Sequence, residues 1–142
     1  MKEKILVGLL IFVLTAVTFA CQRNGEAKNN MSEKIELPIT IEKFVEAVNA
    51  AANDKFLAFF DKDNGVINDW GRKFVGHTAI KGWSDKEFIG AKGKMTPTKL
   101  EKKGEEYRVF ADWKSNFYSG ASLFIFTLDG EKIKEMRIES AK

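Results

Sequence analysis

Few residues in this 142-residue chain can do chemistry, and their types narrow the choice. A lone cysteine, Cys21, excludes an intrachain disulfide framework and a cysteine-rich zinc site. A lone histidine, His77, argues against a multi-histidine metal centre, so no metal or other cofactor is expected. What remains is carboxylates set among aromatic residues. Asp69 stands before Trp70-Gly71, and Asp112 between Ala111 and Trp113. Either can be a plain turn or surface acid. A carboxylate walled by apolar groups instead becomes a better base near neutral pH. Trp70, Trp83, Trp113, Phe44, Phe60 and Phe124 could form such a wall, although each could equally be ordinary core. Asp112 and Trp113 are adjacent in a predicted strand, so they face opposite ways unless a bulge intervenes. The net charge of +3, from 23 basic and 20 acidic residues, is too balanced to suggest nucleic acid.

These residues must be positioned by helices first and strands later. Ile41, Phe44, Val45 and Val48 recur at helical spacing, with Thr40 as a cap, and a second short helix is predicted over Lys55–Phe60. Val66–Trp70 reads as a strand, Lys73–Val75 as a short extended piece, and Gly76-His77-Thr78 opens a third helix carrying Ile80 and Trp83. After Gly90 the period becomes strand-like over Lys94–Lys102, Glu106–Lys114, Phe117–Leu128 and Lys132–Glu139. Lys103-Gly104, Ser119-Gly120 and Asp129-Gly130 supply turn chemistry. Pro97 marks the first of these strands as an edge, and Leu123–Phe126, apolar on both faces, should be central. Helices followed by a strand meander predict an α+β domain. Lys92, Lys94, Lys99, Lys102 and Lys103 form a basic stretch interspersed with Glu101, Glu105 and Glu106, and it reads as a solvated face.

The chain begins differently. A charged start precedes an apolar run, Ile5–Phe19, of 15 residues. As a helix it would reach about 22 Å, short of a hydrocarbon core of about 30 Å, which describes a secretory signal over residues 1–20. Thr18-Phe19-Ala20-Cys21 resembles the lipobox of bacterial lipoproteins, which implies acylation of Cys21 after cleavage. Residues 22–36 are polar, so residues 21–36 read as a lipidated tether and residues 37–142 as the folded domain. An exported, envelope-located, membrane-anchored protein is expected, and Gln22, not aspartate, leaves an outer membrane open as its destination.

Val66-Ile-Asn-Asp-Trp70, followed by Phe74-x-Gly76-x-x-Ala79-Ile80-x-x-Trp83, resembles the nuclear transport factor 2-like superfamily, which includes SnoaL-like cyclases, ketosteroid isomerase and scytalone dehydratase. The resemblance spans about residues 39–138. It implies a cystatin-like α+β roll: a cone-shaped, curved antiparallel sheet packed against three N-terminal helices, closing on an apolar cavity. It places Asp69 where the isomerase carries its proton-shuttling aspartate. It also sets Phe44 and Phe124 where that enzyme has its oxyanion donors, and phenylalanine donates nothing. A missing donor of that kind typically costs about 3–4 kcal/mol of transition-state stabilisation. His77 could partner Asp69, as in the cyclases, or merely cap the third helix. The expected function is therefore binding of a small apolar or aromatic ligand, or of a protein partner, without catalysis. The alternative is a cyclase, isomerase or dehydratase using Asp69 as general base, with Asp112 or water in support. A third reading is a purely structural role, homodimerisation through the exposed sheet face, which members of the superfamily often use.

Overall fold

The computed structural model describes residues 34–142. The signal-like run, Cys21 and most of the polar segment lie outside the described residues. Among the described residues no helix is long and apolar enough to cross a membrane, and no three His, Cys, Asp or Glu side chains gather as a metal site requires.

Three helices precede and interleave with a six-stranded sheet. Helix α1, Ile39–Asn49, buries Ile41, Phe44, Val45 and Val48 on one stripe, as the spacing predicts. Its cap differs from expectation. Pro38 is the N-cap, its carbonyl accepting from the Glu42 N–H at 2.9 Å, while Thr40 is buried inside the first turn. No side chain caps this helix start. Helix α2, Asn53–Ala58, starts two residues earlier than predicted, because the chain reverses at Ala51 (φ 53°) and not at Asn53. Helix α3, Gly76–Glu87, begins where Gly76 takes a positive φ of 78° and the His77 N–H bonds the Lys62 carbonyl at 2.8 Å.

The strands are β1 (Val66–Asp69), β2 (Arg72–Val75), β3 (Lys94–Lys103), β4 (Glu106–Lys114), β5 (Ser119–Asp129) and β6 (Lys132–Ser140). Their spatial order is β2-β1-β6-β5-β4-β3. All neighbours are antiparallel except β1 and β6, a parallel pair that the expectation of a wholly antiparallel sheet misses. Pro97 lies on edge strand β3 at a register shift between Pro97 and Lys99, and a second shift falls between Thr127 and Leu128 in β5. Such shifts bend a sheet. Ser119-Gly120 is not a turn. The reversal lies at Ser115–Tyr118, where the Ser115 hydroxyl accepts from the N–H groups of Phe117 and Tyr118 at 3.3 and 3.2 Å. A serine side chain thus substitutes for the glycine chemistry that the prediction relied on.

Register decides which side chains face the helices. Asp69 is level with Ile138, Ile138 with Phe124, and Phe124 with Val109, so a row of inward positions crosses four strands. The next inward row holds Ile67, Met136, Phe126 and Tyr107. Phe44, Phe56, Phe60 and Phe126 fill the space beneath α1 and α2, with Phe44 centroids 5.2–6.2 Å from its three neighbours. Central strand β5 is buried without a break from Ser122 to Phe126.

Candidate functional site

Beside this core, at the end of the sheet nearer α3, lies a cavity of about 350 Å3. Its sheet wall comes from Ile138, Phe124, Ser122 and Trp113, and its helix wall from Trp83, Glu87 and Phe88. Trp70, Ser115, Phe117 and Tyr118 surround the mouth, and Asp69 completes the lining.

One wall is a continuous stack of rings. Phe74 lies 5.7 Å from Trp83, Trp83 4.8 Å from Phe88, and Phe88 4.6 Å from Trp113, with interplanar angles of 28°, 24° and 12°. The stack joins β2 to β4 through α3. Gly93 makes room for it: a Cβ at that position would stand 2.2 Å from Trp113 Cη2.

Asp69 is 9% exposed because strand alternation turns it inward with Ile67. Its Oδ2 accepts from Trp83 Nε1 at 3.1 Å and from the Arg72 guanidinium. Arg72 also donates to both oxygens of Glu87, at 3.1 and 2.7 Å. Hydrogen bonding to Glu87, and next to Asp69, holds Arg72 well above its ordinary pKa, while Arg72 holds Glu87 below its own. Asp69 Oδ2 therefore has two donors, and among the described residues none donates to Oδ1. Hydroxyls of Ser115, Ser122 and Tyr118 are the other polar groups around the space.

The sequence-predicted residues divide. The structure brings Asp69, Trp70, Trp83, Trp113 and Phe124 to one cavity. Phe44 and Phe60 are 0% and 1% exposed in the aromatic core and do not line it, because α1 and α2 close over the far part of the sheet. Asp112 is exposed on the outer face, opposite Ala121, while its neighbour Trp113 points in. His77 does not reach Asp69. Its Nε2 lies 3.0 Å from the Phe60 carbonyl, and it ties α3 to the Asp61–Gly65 loop. Sequence reasoning missed Arg72, Glu87, Phe117 and Tyr118 as parts of the site. Glu87 was findable in principle, since it lies four residues after Trp83 and so on the same helix face.

A cone of sheet closed by helices, with the cavity at its open end, can be set against known structures. A candidate polyketide cyclase from Sinorhizobium meliloti superposes with a TM-score of 0.66 at 21% identity, over 72% of this chain and 95% of that one. The fold is nuclear transport factor 2-like. A hypothetical protein with a ketosteroid isomerase-like fold from Catenulispora acidiphila, in complex with trimethylamine, gives 0.61 at 17%, over 75% and 88%. The Anabaena orange carotenoid protein binding canthaxanthin gives 0.64 at 17%, over 75% of this chain and 37% of that chain. No family model and no curated protein matches the sequence. At these identities the likeness is one of fold, and nuclear transport factor 2-like domains carry unrelated functions on it.

Proposed function

We propose that the protein is an exported lipoprotein, anchored through Cys21, whose nuclear transport factor 2-like domain holds a small apolar or aromatic ligand without transforming it. The observation carrying this reading is the cavity itself: an aromatic wall around about 350 Å3, within the size range of small-molecule sites. The one buried carboxylate is tied to Arg72 and Trp83. The similar structures hold ligands as unlike as an amine and a carotenoid, so the lining of this chain selects the ligand. Phe124, which the resemblance sets at an oxyanion-donor position, lines the cavity without a donor, which supports binding over isomerase chemistry.

Tryptophan fluorescence tests the reading directly, because Trp70, Trp83 and Trp113 all line the cavity. A titration with steroids, small aromatics and fatty acids should give saturable quenching by at least one class. No response to any of them would remove the ligand. Palmitate labelling of wild type and Cys21→Ser tests the anchor, and equal labelling would sink it.

A second reading, a cyclase-, isomerase- or dehydratase-type enzyme, is favoured by one observation: among the described residues no group donates to Asp69 Oδ1, and Asp69 lines the cavity. A ligand that binds and is turned over by wild type, but is bound unchanged by Asp69→Asn, would select it.

A further inference from the structure

Among the described residues, five large hydrophobic side chains are exposed, and three of them are aromatics at the mouth of one cavity. Trp70 is 65% exposed, Phe117 75% and Tyr118 52%. Single exposed apolar residues are normal, but three converging aromatics mark an interaction site.

Trp70 is the telling member. Asp69 and Arg72 are paired across the β1–β2 hairpin, so Trp70-Gly71 is its two-residue turn. Both turn residues have positive φ, 51° and 89°. That conformation favours Asn-Gly, and a bulky residue at its first position is strained. The turn is clamped from both sides: the Gly71 N–H donates to Asn68 Oδ1 at 2.8 Å, and the Trp70 N–H to the Ile138 carbonyl at 3.2 Å. The fold thus fixes an indole in solvent at a site where a smaller residue would be easier. The indole is exposed and outside the core, and a rule broken without local gain points to function.

The surroundings name the partner. Exposed Lys73 and Lys114 flank the rim in sequence but alternate to the outer face of the sheet, so Lys92 is the lysine set beside the rim itself. Exposed Lys92 adjoins the Phe117 loop through the Asn116 N–H bond to the Ala91 carbonyl at 2.8 Å. Asp69 and Glu87, the two acids lining the cavity, are both paired with Arg72. Tryptophan and tyrosine beside lysine is the chemistry of the bilayer interface, where the ring body is apolar, its edge is polar and the headgroups are anionic.

We propose that this rim is a membrane-contact surface. Trp70, Phe117 and Tyr118 enter the headgroup layer of a phospholipid bilayer and set the cavity mouth against it, so an apolar ligand passes between bilayer and cavity without crossing water. This goes beyond the ligand-binding reading and does not require it, since the rim can dock with the cavity empty. It draws on the anchor only for proximity: the 15 residues between Cys21 and Leu37 reach at most about 50 Å, enough to bring any side of the domain to the lipid.

The test is quenching of the full chain in phosphatidylcholine–phosphatidylglycerol vesicles by lipids brominated high on their acyl chains. The only tryptophans are Trp70, Trp83 and Trp113, and the last two are 4% and 8% exposed, so quenching from the bilayer should report Trp70. Wild type should be quenched, and Trp70→Asn, which suits the turn, should lose at least half of that quenching. Phe117→Ser with Tyr118→Ser, which keeps all three tryptophans, should lower it about two-fold by loosening the docking. An unquenched wild type overturns the proposal and leaves the rim to a protein partner. Equal quenching in wild type and Trp70→Asn also overturns it, because bromine would then be reaching Trp83 and Trp113 inside the cavity. That last result would support a lipid ligand, so docking and ligand binding fail separately.

Discussion

Asp69 is held by two donors of different kinds, and their energies can be separated. Trp83, a residue 4% exposed, donates at 3.1 Å to Asp69, whose side chain is 12% exposed. Arg72 donates from a side chain that is 54% exposed. A hydrogen bond to a charged group away from water contributes about 1.5–3 kcal/mol. An exposed ion pair contributes about 0.2–1 kcal/mol after solvent screening. The buried neutral donor should therefore outweigh the exposed charged one. Two double-mutant cycles measure this, combining Asp69→Ala with Trp83→Phe in one and with Arg72→Met in the other. Trp83→Phe also shrinks a stacked ring, but the cycle cancels that loss because it occurs with and without Asp69. We expect a coupling of about 1.5 kcal/mol for Trp83, near the low end because Oδ2 keeps Arg72, and under about 1 kcal/mol for Arg72. Urea unfolding followed by circular dichroism supplies all the stabilities, with constant m-values confirming that one transition is being compared. A Trp83 coupling indistinguishable from zero, or an Arg72 coupling above it, would refute the assignment of Asp69 to the indole.

Three further outcomes follow from the same geometry. Gly93→Ala forces a methyl to within 2.2 Å of Trp113 and 2.8 Å of the Phe88 carbonyl, so it should destabilise by about 1–3 kcal/mol in urea, and unchanged stability would mean the stack shifts freely. Trp70→Asn should raise stability by up to about 1 kcal/mol, since asparagine tolerates the positive φ that tryptophan does not; a loss would mean the indole packs in the isolated domain. Arg72 depresses the pKa of Glu87 below its ordinary 4.5, so the contribution of Glu87 is fully present above about pH 4.5 and is lost as pH falls through the lower folded value. The stability gap between wild type and Glu87→Gln should accordingly close between pH 6 and pH 3, whereas a gap independent of pH would contradict the pairing.

Periodicity made the elements legible wherever one physical cause dominates. The α1 stripe and the doubly buried Leu123–Phe126 follow from burial alone, and Asp129-Gly130 (Gly130 φ 58°) from turn sterics. Errors arose where a local signal had a competitor. Ser119-Gly120 looked like a turn, but Ser115 closes one four residues earlier, and Gly120 is kept small by Tyr118, whose hydroxyl would lie 2.5 Å from an added Cβ. Pairing of β1 with β6 in parallel joins residues nearly seventy apart, and no spacing within either strand encodes it.

The site was half legible for the same reason. Strand alternation alone turns Asp69 inward with Ile67, and helical spacing alone turns Trp83 inward with Ile80. Neither says that the two meet. They meet because two periods coincide. Trp83 and Glu87 are four apart, so α3 presents both on one face, while Asp69 and Arg72 are direct partners across the β1–β2 hairpin. Trp83 then meets Asp69, Glu87 meets Arg72, and the Asp69–Arg72 contact closes a ring of four side chains. The start of α3 is fixed by the bonds of Gly76 and His77 to the Asp61–Gly65 loop, so the helix cannot slide to compensate for a change in length. One residue inserted between Gly76 and Trp83 would turn both partners by about 100° and open the ring at two points. The main-chain bonds of Gly76 and His77 to the Asp61–Gly65 loop, far from the cavity, thus help keep the partners of the cavity carboxylate in register.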